Sequence, residues 1–271
     1  MPEKALPQPG CSVASQALPA GFGVIPDERL RRFDGGEVLA GGVPERVVRL
    51  GSRASRILSG LMADPPAPAP EVAVERMVRP LLDAGLLHPR PGSARMGAGD
   101  ITVVVPVYNR AAALRRVLDD LLPRFEVVVV DDGSTDGSAA AAREAGATVV
   151  ARATRGGPAA ARNSGLAVVE TPLVAFVDSD CRLGADWLAP LLAHFNDPTI
   201  AVVAPRVVGD VATRRDALAR YETVRSPQDL GPLPGYVRPG ARVSFLPAAV
   251  APISTRIHCF LSPSSARRTL K

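Results

Sequence analysis

Ile101-Thr102-Val103-Val104-Val105-Pro106-Val107-Tyr108-Asn109-Arg110 opens the most regular part of this chain. The run Ile101–Val107 is rich in β-branched residues and shows no alternation of polar and apolar positions. That pattern predicts a strand buried on both faces, as in a parallel sheet covered by helices. Ala111–Leu122 follows, with Leu114, Val117, Leu118 and Leu121 on one helical face. Val127–Val130 reads as a second buried strand, and Ser138–Ala145 as a helix closed by Gly146. Thr148–Val150, a helix from about Pro158 to Val168, and Val174–Val177 repeat the theme. Ala185–Phe195 and Ile200–Ala204 add a further helix and strand. Such alternation predicts an α/β parallel sheet that binds ligand at the carboxyl ends of its strands.

Upstream the pattern differs. Residues 1–20 are rich in Pro, Ser and Ala without periodicity and read as a mobile tail. Leu39–Gly42 predicts a strand running into a turn, and Arg46–Leu50 a second extended stretch. Ser52 is placed to cap a helix carrying Ile57, Leu58 and Leu61. After the Pro65–Pro70 break, Val72, Val74, Met77, Val78, Leu81 and Leu82 form a helical stripe ending near Gly85. Residues 21–91 therefore read as a small winged-helix-like α+β domain, with 92–99 as a linker.

Composition narrows the function classes. The 271 residues are 46% hydrophobic and 22% charged, which excludes a wholly disordered or fibrous chain. The longest apolar runs fall far short of the ~20 residues needed to span a bilayer. Three widely spaced cysteines, Cys11, Cys181 and Cys259, argue against a disulfide framework or zinc site and for a reducing, cytoplasmic compartment, in which the chain is free or peripheral at a membrane. The net charge of +5 is unevenly distributed. Residues 206–271 carry 11 Lys+Arg against 4 Asp+Glu; subtraction from the totals of 32 and 27 leaves 21 against 23 in residues 1–205. A nucleic-acid partner is not expected from so local a surplus.

The chemistry-bearing residues fall at the predicted strand ends. Strand one runs into Pro106-Val107-Tyr108-Asn109-Arg110, strand two into Asp131-Asp132-Gly133-Ser134-Thr135-Asp136, and strand four into Asp178-Ser179-Asp180. Carboxylates beside a hydrophobic sheet are costly unless a cation or hydrogen bonds stabilise them. Asp178 and Asp180 suit a hard Mg²⁺ or Mn²⁺ bridging the phosphates of a nucleotide. Asp131 could accept from a base N–H. Asp132 could face a ribose hydroxyl or support its loop, and Tyr108 with Pro106 could wall the base. Arg155 or Arg162 could approach phosphate, with a structural salt bridge to one of the acids the alternative for Arg162. No Gly-x-Gly-x-x-Gly or P-loop follows strand one, and the Gly-rich loop and lysine of nucleotidyltransferases are absent there.

At these residues the chain resembles the family 2 inverting glycosyltransferases of the GT-A fold, through Val103–Arg110, Val129–Asp136, Gly156–Gly165 and Phe176–Leu183. The resemblance implies a UDP-sugar donor and a divalent metal, with Pro106, Tyr108 and Asp131 at the nucleotide, Asp178 near the ribose-phosphate and Asp180 as metal ligand. It implies a GT-A donor domain over residues 100–249. The front segment, through Leu39–Pro44, Arg49-Leu50 and Leu81–Pro89, is similar to the leader of the mycofactocin-system glycosyltransferases. That similarity implies a PqqD-like peptide-recognition domain and transfer of glucose from UDP-glucose to a peptide-derived redox cofactor. A peptide-binding module with an inert α/β part is the alternative function.

An inverting transferase needs a general base to deprotonate the acceptor. In the family that acid lies well beyond the Asp-x-Asp, whereas Asp229 is the last acid here and the Gln-x-x-Arg-Trp-like motif is absent. Residues 250–271 show neither periodicity nor motif and are expected to be an irregular tail. The expectation is a truncated or frameshifted chain with its donor half intact, its base missing and little or no transfer activity.

Overall fold

The computed structural model describes residues 18–19, 21–184, 186–208, 216–217, 221, 228–231, 233–237, 243–246 and 249–255. The expected mobile tail lies almost wholly outside them, as do residues 256–271.

Residues 21–90 build around their own core. Strand β1 (Gly23–Pro26) pairs antiparallel with β5 (Leu87–Arg90), and β2 (Arg31–Phe33), β3 (Val38–Gly41) and β4 (Arg46–Arg49) form a three-stranded meander. Helix α1 (Ser52–Met62) buries Leu58 and Leu61, and Ser52 is its first residue, not its cap. Gly51 holds the cap position with extended backbone, so the hydroxyl makes no capping bond. The second helical stretch runs through α2 (Glu71–Ala73), a π-helical turn Val74–Val78 and α3 (Arg79–Asp83), and buries Val74, Val78, Leu81 and Leu82. These side chains close with Val24, Leu39, Leu86 and Leu87 into one cluster.

The second unit is the expected α/β sheet. Strands β6 (Ile101–Val107), β7 (Glu126–Asp131), β8 (Thr148–Ala151) and β9 (Leu173–Val177) are parallel, and β10 (Val250–Ser254) joins antiparallel, in the order β10-β9-β6-β7-β8. Val103, Val105 and Val107 face α4 (Ala111–Leu121), while Val104, Val128 and Val130 pack on Ala161 of α6 (Pro158–Leu166). Helix α5 (Ser138–Glu144) packs beside α4 and against β7 and β8. Covering both faces is what removes any polar alternation from β6.

Three expectations change. The irregular stretch expected from residue 250 begins instead with β10, which pairs Val250 with Val177 and Ser254 with Leu173. Its Pro252 masks the strand pattern, yet β9 would otherwise present an unpaired edge, and pairing satisfies it. Ile200–Ala204, expected as a strand, makes only the Val202–Ile253 bridge on the far side of β10. The helix expected over 185–195 is shorter, as α7 (Ala189–Leu192), with Pro190 in its first turn, and a 3₁₀ turn Ala193–Asn196; Ala185 lies outside the described residues.

The two units are joined by a buried ion pair. Arg79 donates from Nη1 to Asp197 Oδ2 at 2.6 Å and from Nη2 to Oδ1 at 3.0 Å, and the Asp197 side chain has no solvent exposure. Burial alone would lower the Arg79 pKa, but its hydrogen bonds to Asp197 outweigh this and raise it. Asn196 adds two bonds to the linker, through Arg95 N–H and Ser93 carbonyl.

Candidate functional site

The sheet's register brings the predicted residues together. Val107 at the end of β6 lies opposite Asp131 at the end of β7. The turn after β6 requires Asn109 at φ 51°, a left-handed conformation that asparagine tolerates. Loops after β6 and β7 then stitch to each other. Asn109 N–H donates to Ser134 Oγ at 3.0 Å, Thr135 N–H to Asn109 Oδ1 at 2.7 Å, and Ala111 N–H to Asp136 Oδ2 at 3.0 Å.

Above these loops lies a cavity of about 430 Å³. Pro106, Tyr108, Asp132, Arg162, Asp178 and Asp180 line it, joined by Arg110 and Arg155. The Arg155 guanidinium sits 4.2 Å from the centre of the Tyr108 ring, a cation–π contact on the wall assigned to a base. Asp131 stands behind this lining, 5% exposed, and accepts the Ser134 N–H at 3.3 Å.

The acids differ sharply in what holds them. Asp178 accepts from Arg162 Nη2 at 2.6 Å, so the salt-bridge alternative for Arg162 is the one the structure carries. Burial raises the Asp178 pKa and neighbouring Asp180 adds to it, with Arg162 opposing. Asp180 accepts from Arg110 Nη1 at 3.0 Å in the open, both side chains more than half exposed. Asp132 is 3% exposed and has both oxygens engaged. It accepts the N–H groups of Gly156 at 2.9 Å and Gly157 at 2.7 Å, and Arg152 Nε at 2.8 Å. Burial would raise its pKa, but these donors outweigh burial and hold the carboxyl below the ordinary range. These three hydrogen bonds make Asp132 a support of its loop. Cys181, next to the acids, is pushed up to about 11 by burial and by Asp178 and Asp180, so its thiol is inert at neutral pH.

Arg152 and Arg110 were not singled out by sequence. Arg152 lies just beyond β8 and binds Asp132, Ser164 Oγ at 2.6 Å and the Ala160 carbonyl at 3.3 Å, organising the start of α6. Its role depends on a crossover that no local pattern reveals. Arg110 is the last residue of the strand-one segment, and that position was a legible signal.

Among the described residues, no group of three or more His, Cys, Asp or Glu is placed to hold a metal. Two aspartates at one strand end nevertheless fit Mg²⁺ or Mn²⁺, which commonly take one or two protein carboxylates and complete their shell with water and substrate phosphate. Asp178 is held by Arg162 and Asp180 by the exposed Arg110, each through one carboxylate oxygen.

The strand-end cavity, its paired acids and Tyr108 place the candidate site at the carboxyl ends of a parallel α/β sheet. The sequence profile of glycosyl transferase family 2 matches residues 102–241, and the chain belongs to that family, with the α/β sheet of the GT-A fold. It is 41% identical over 235 residues to the pre-mycofactocin glycosyltransferase of Mycobacterium tuberculosis, covering 86% of this chain and 48% of that protein. The chain thus spans about half the length of the curated relatives it matches at that identity. Among solved structures, the mannosyltransferase of Pyrobaculum calidifontis in complex with GDP-Man and Mn²⁺ superposes with a TM-score of 0.44 and 24% identity, over 60% of this chain and 47% of that one. The glucosyl-3-phosphoglycerate synthase of Mycobacterium tuberculosis, with Mn²⁺, UDP and phosphoglyceric acid, gives 0.43 and 26%, over 62% of each. Among the described residues no helix is long and apolar enough to cross a membrane.

Proposed function

We propose that this chain binds a UDP-sugar, UDP-glucose in particular, with Mg²⁺ or Mn²⁺, as the donor half of a transferase acting on a peptide-derived, mycofactocin-type acceptor. The observation that carries the donor assignment is the pair Asp178 and Asp180, facing Tyr108 and three arginines across one cavity. The acceptor class is supported by the 41% identical relative and by the separately cored residues 21–91, read as the PqqD-like peptide-recognition unit. A second, largely apolar cavity of about 550 Å³ lies between the two units, with Pro89, Leu191, Val203 and Tyr236 in its walls. A peptide-derived acceptor fits its chemistry.

On this reading Asp180 and Asp178 hold the metal, which when bound supplies positive charge to the diphosphate leaving group. Tyr108 and Pro106 wall the base, and the second oxygen of Asp131 accepts its N–H. Asp132 holds the Arg155–Gly157 loop, and Arg162 orients Asp178 and opposes the burial that raises its pKa. The lining acids are Asp132, Asp178 and Asp180, each already engaged, so among the described residues this cavity supports donor binding and offers no carboxylate as base. Titration calorimetry of the folded chain with UDP and Mn²⁺ tests the assignment. Metal-dependent UDP binding that Asp180→Asn weakens at least ten-fold is expected; absence of binding by the unmodified chain refutes it.

A further inference from the structure

We propose that Arg110 is an exchangeable counter-ion: it holds Asp180 while no cation is bound, and turns to the donor's diphosphate when a divalent cation claims that carboxylate. The inference rests on the donor-site reading above and assigns a residue that reading leaves idle. Arg110 Nη1 meets Asp180 Oδ2 at 3.0 Å with the two side chains 58% and 55% exposed. So open a pair is weakly held and easily replaced. The neighbouring Arg162–Asp178 pair, at 2.6 Å and 20% and 35% exposed, is far more sheltered and suits a standing contact.

The backbone of Arg110 is secured without its side chain. Its N–H donates to Ser138 Oγ at 3.3 Å, and its carbonyl accepts the Leu114 N–H at 2.9 Å in the first turn of α4. The guanidinium can therefore change partner while the helix stays in place. The cavity's own charges set the direction of that change. Three arginines, Arg110, Arg155 and Arg162, balance three aspartates, Asp132, Asp178 and Asp180. A divalent cation on Asp180 leaves two positive charges over, matching the two negative charges on the diphosphate of a nucleotide sugar. At that point Asp178 is held by Arg162, and Asp132 by Arg152 and two backbone N–H groups, so phosphate oxygens are the remaining acceptors for Arg110. A guanidinium fork suits them.

The test uses the full 271-residue chain and two ligands, Mn²⁺ alone and UDP at saturating Mn²⁺, read by calorimetry and by Mn²⁺ electron paramagnetic resonance. Arg110→Ala is expected to bind Mn²⁺ about two- to five-fold more tightly, because the competing cation is gone. The same variant is expected to bind UDP about ten-fold more weakly, because a charge-assisted bond is lost. Arg110→Lys keeps the charge without the fork and should fall between for UDP; it also carries the test if the alanine variant unfolds. Arg115→Ala removes the same charge from α4 at the exposed Arg115–Glu144 pair and should leave both affinities unchanged. Unchanged or weaker Mn²⁺ binding by Arg110→Ala, or unchanged UDP binding, overturns the exchange. An unmodified chain that binds neither ligand overturns the donor-site reading, and the exchange with it.

Discussion

Replacing Asp197 with alanine should cost far more than its place near the surface of the sequence pattern suggests. Its carboxylate is fully buried and receives both terminal nitrogens of Arg79, 118 residues away in the other unit. It also accepts the N–H and hydroxyl of Thr199 at 3.0 and 2.8 Å. Removing one partner of a buried pair strands the other charge and typically costs about 3–5 kcal/mol. Arg79→Met should cost a similar amount, since Asp197 then keeps only Thr199. Substituting both together removes the stranded charge, so the double variant should recover most of the loss. Urea denaturation followed by circular dichroism reads these values, with a midpoint shift of roughly 1–5 M for a denaturant slope of about 1–3 kcal/mol per M. A second readout tests the coupling itself. The single tryptophan, Trp187, lies in the transferase unit and packs edge-on against Phe125 at 6.1 Å. Its fluorescence reports that unit alone, whereas dichroism reports both. The two curves should coincide in the unmodified chain and separate in either single variant. A loss below about 1 kcal/mol, or coincident curves in both single variants, would refute the buried joint.

Asp132→Asn should lose about 2–3 kcal/mol at pH 7, because a carboxylate held by two backbone N–H groups and Arg152 becomes a neutral amide. The wild-type carboxyl is depressed on folding, so its contribution is complete above the unfolded value near pH 4 and fades as pH falls through the folded one; the gap between variant and wild type should close in the same window, and a gap constant from pH 7 to pH 3 would contradict this. Tyr108→Ala should weaken UDP binding about five- to ten-fold by removing the ring that carries Arg155 and, on the proposed reading, walls the base, while Tyr108→Phe should stay within about two-fold, both read by calorimetry. Gly165→Ala should destabilise by about 1–3 kcal/mol, since a Cβ there would lie 2.9 Å from Val130 Cγ2 and closer still to Val104 Cγ1; an unchanged thermal midpoint would show that α6 can lift off the sheet.

The parallel strands, the helices between them and the strand-end acids were legible in the chain because each is a local signal. An unbroken Val-rich run such as Ile101–Val107 can satisfy its surroundings only when both faces are covered, and an Asp pair directly after such a run must lie at the sheet's edge. Pro106, Tyr108, Asp132, Arg162, Asp178 and Asp180 accordingly line one cavity, with Asp131 buried just behind it. Partnership was not legible. That Asp132 binds Arg152 and the Gly156–Gly157 backbone could not be read from the chain, because these partners meet it only through the crossover to β8 and the loop beyond. Strand β10 formed where periodicity showed nothing, because β9 needed an edge partner and Pro252 hid the pattern. Arg79 gave no sign of its role, since a helix-face arginine reads as solvated until a second unit buries it. Sequence by itself determined which residues stand at the carboxyl ends of the strands, because hydrophobic patterning acts over a few residues. Only the tertiary structure decided which charges meet, because an ion pair is fixed by distances across the fold that no spacing along the chain encodes.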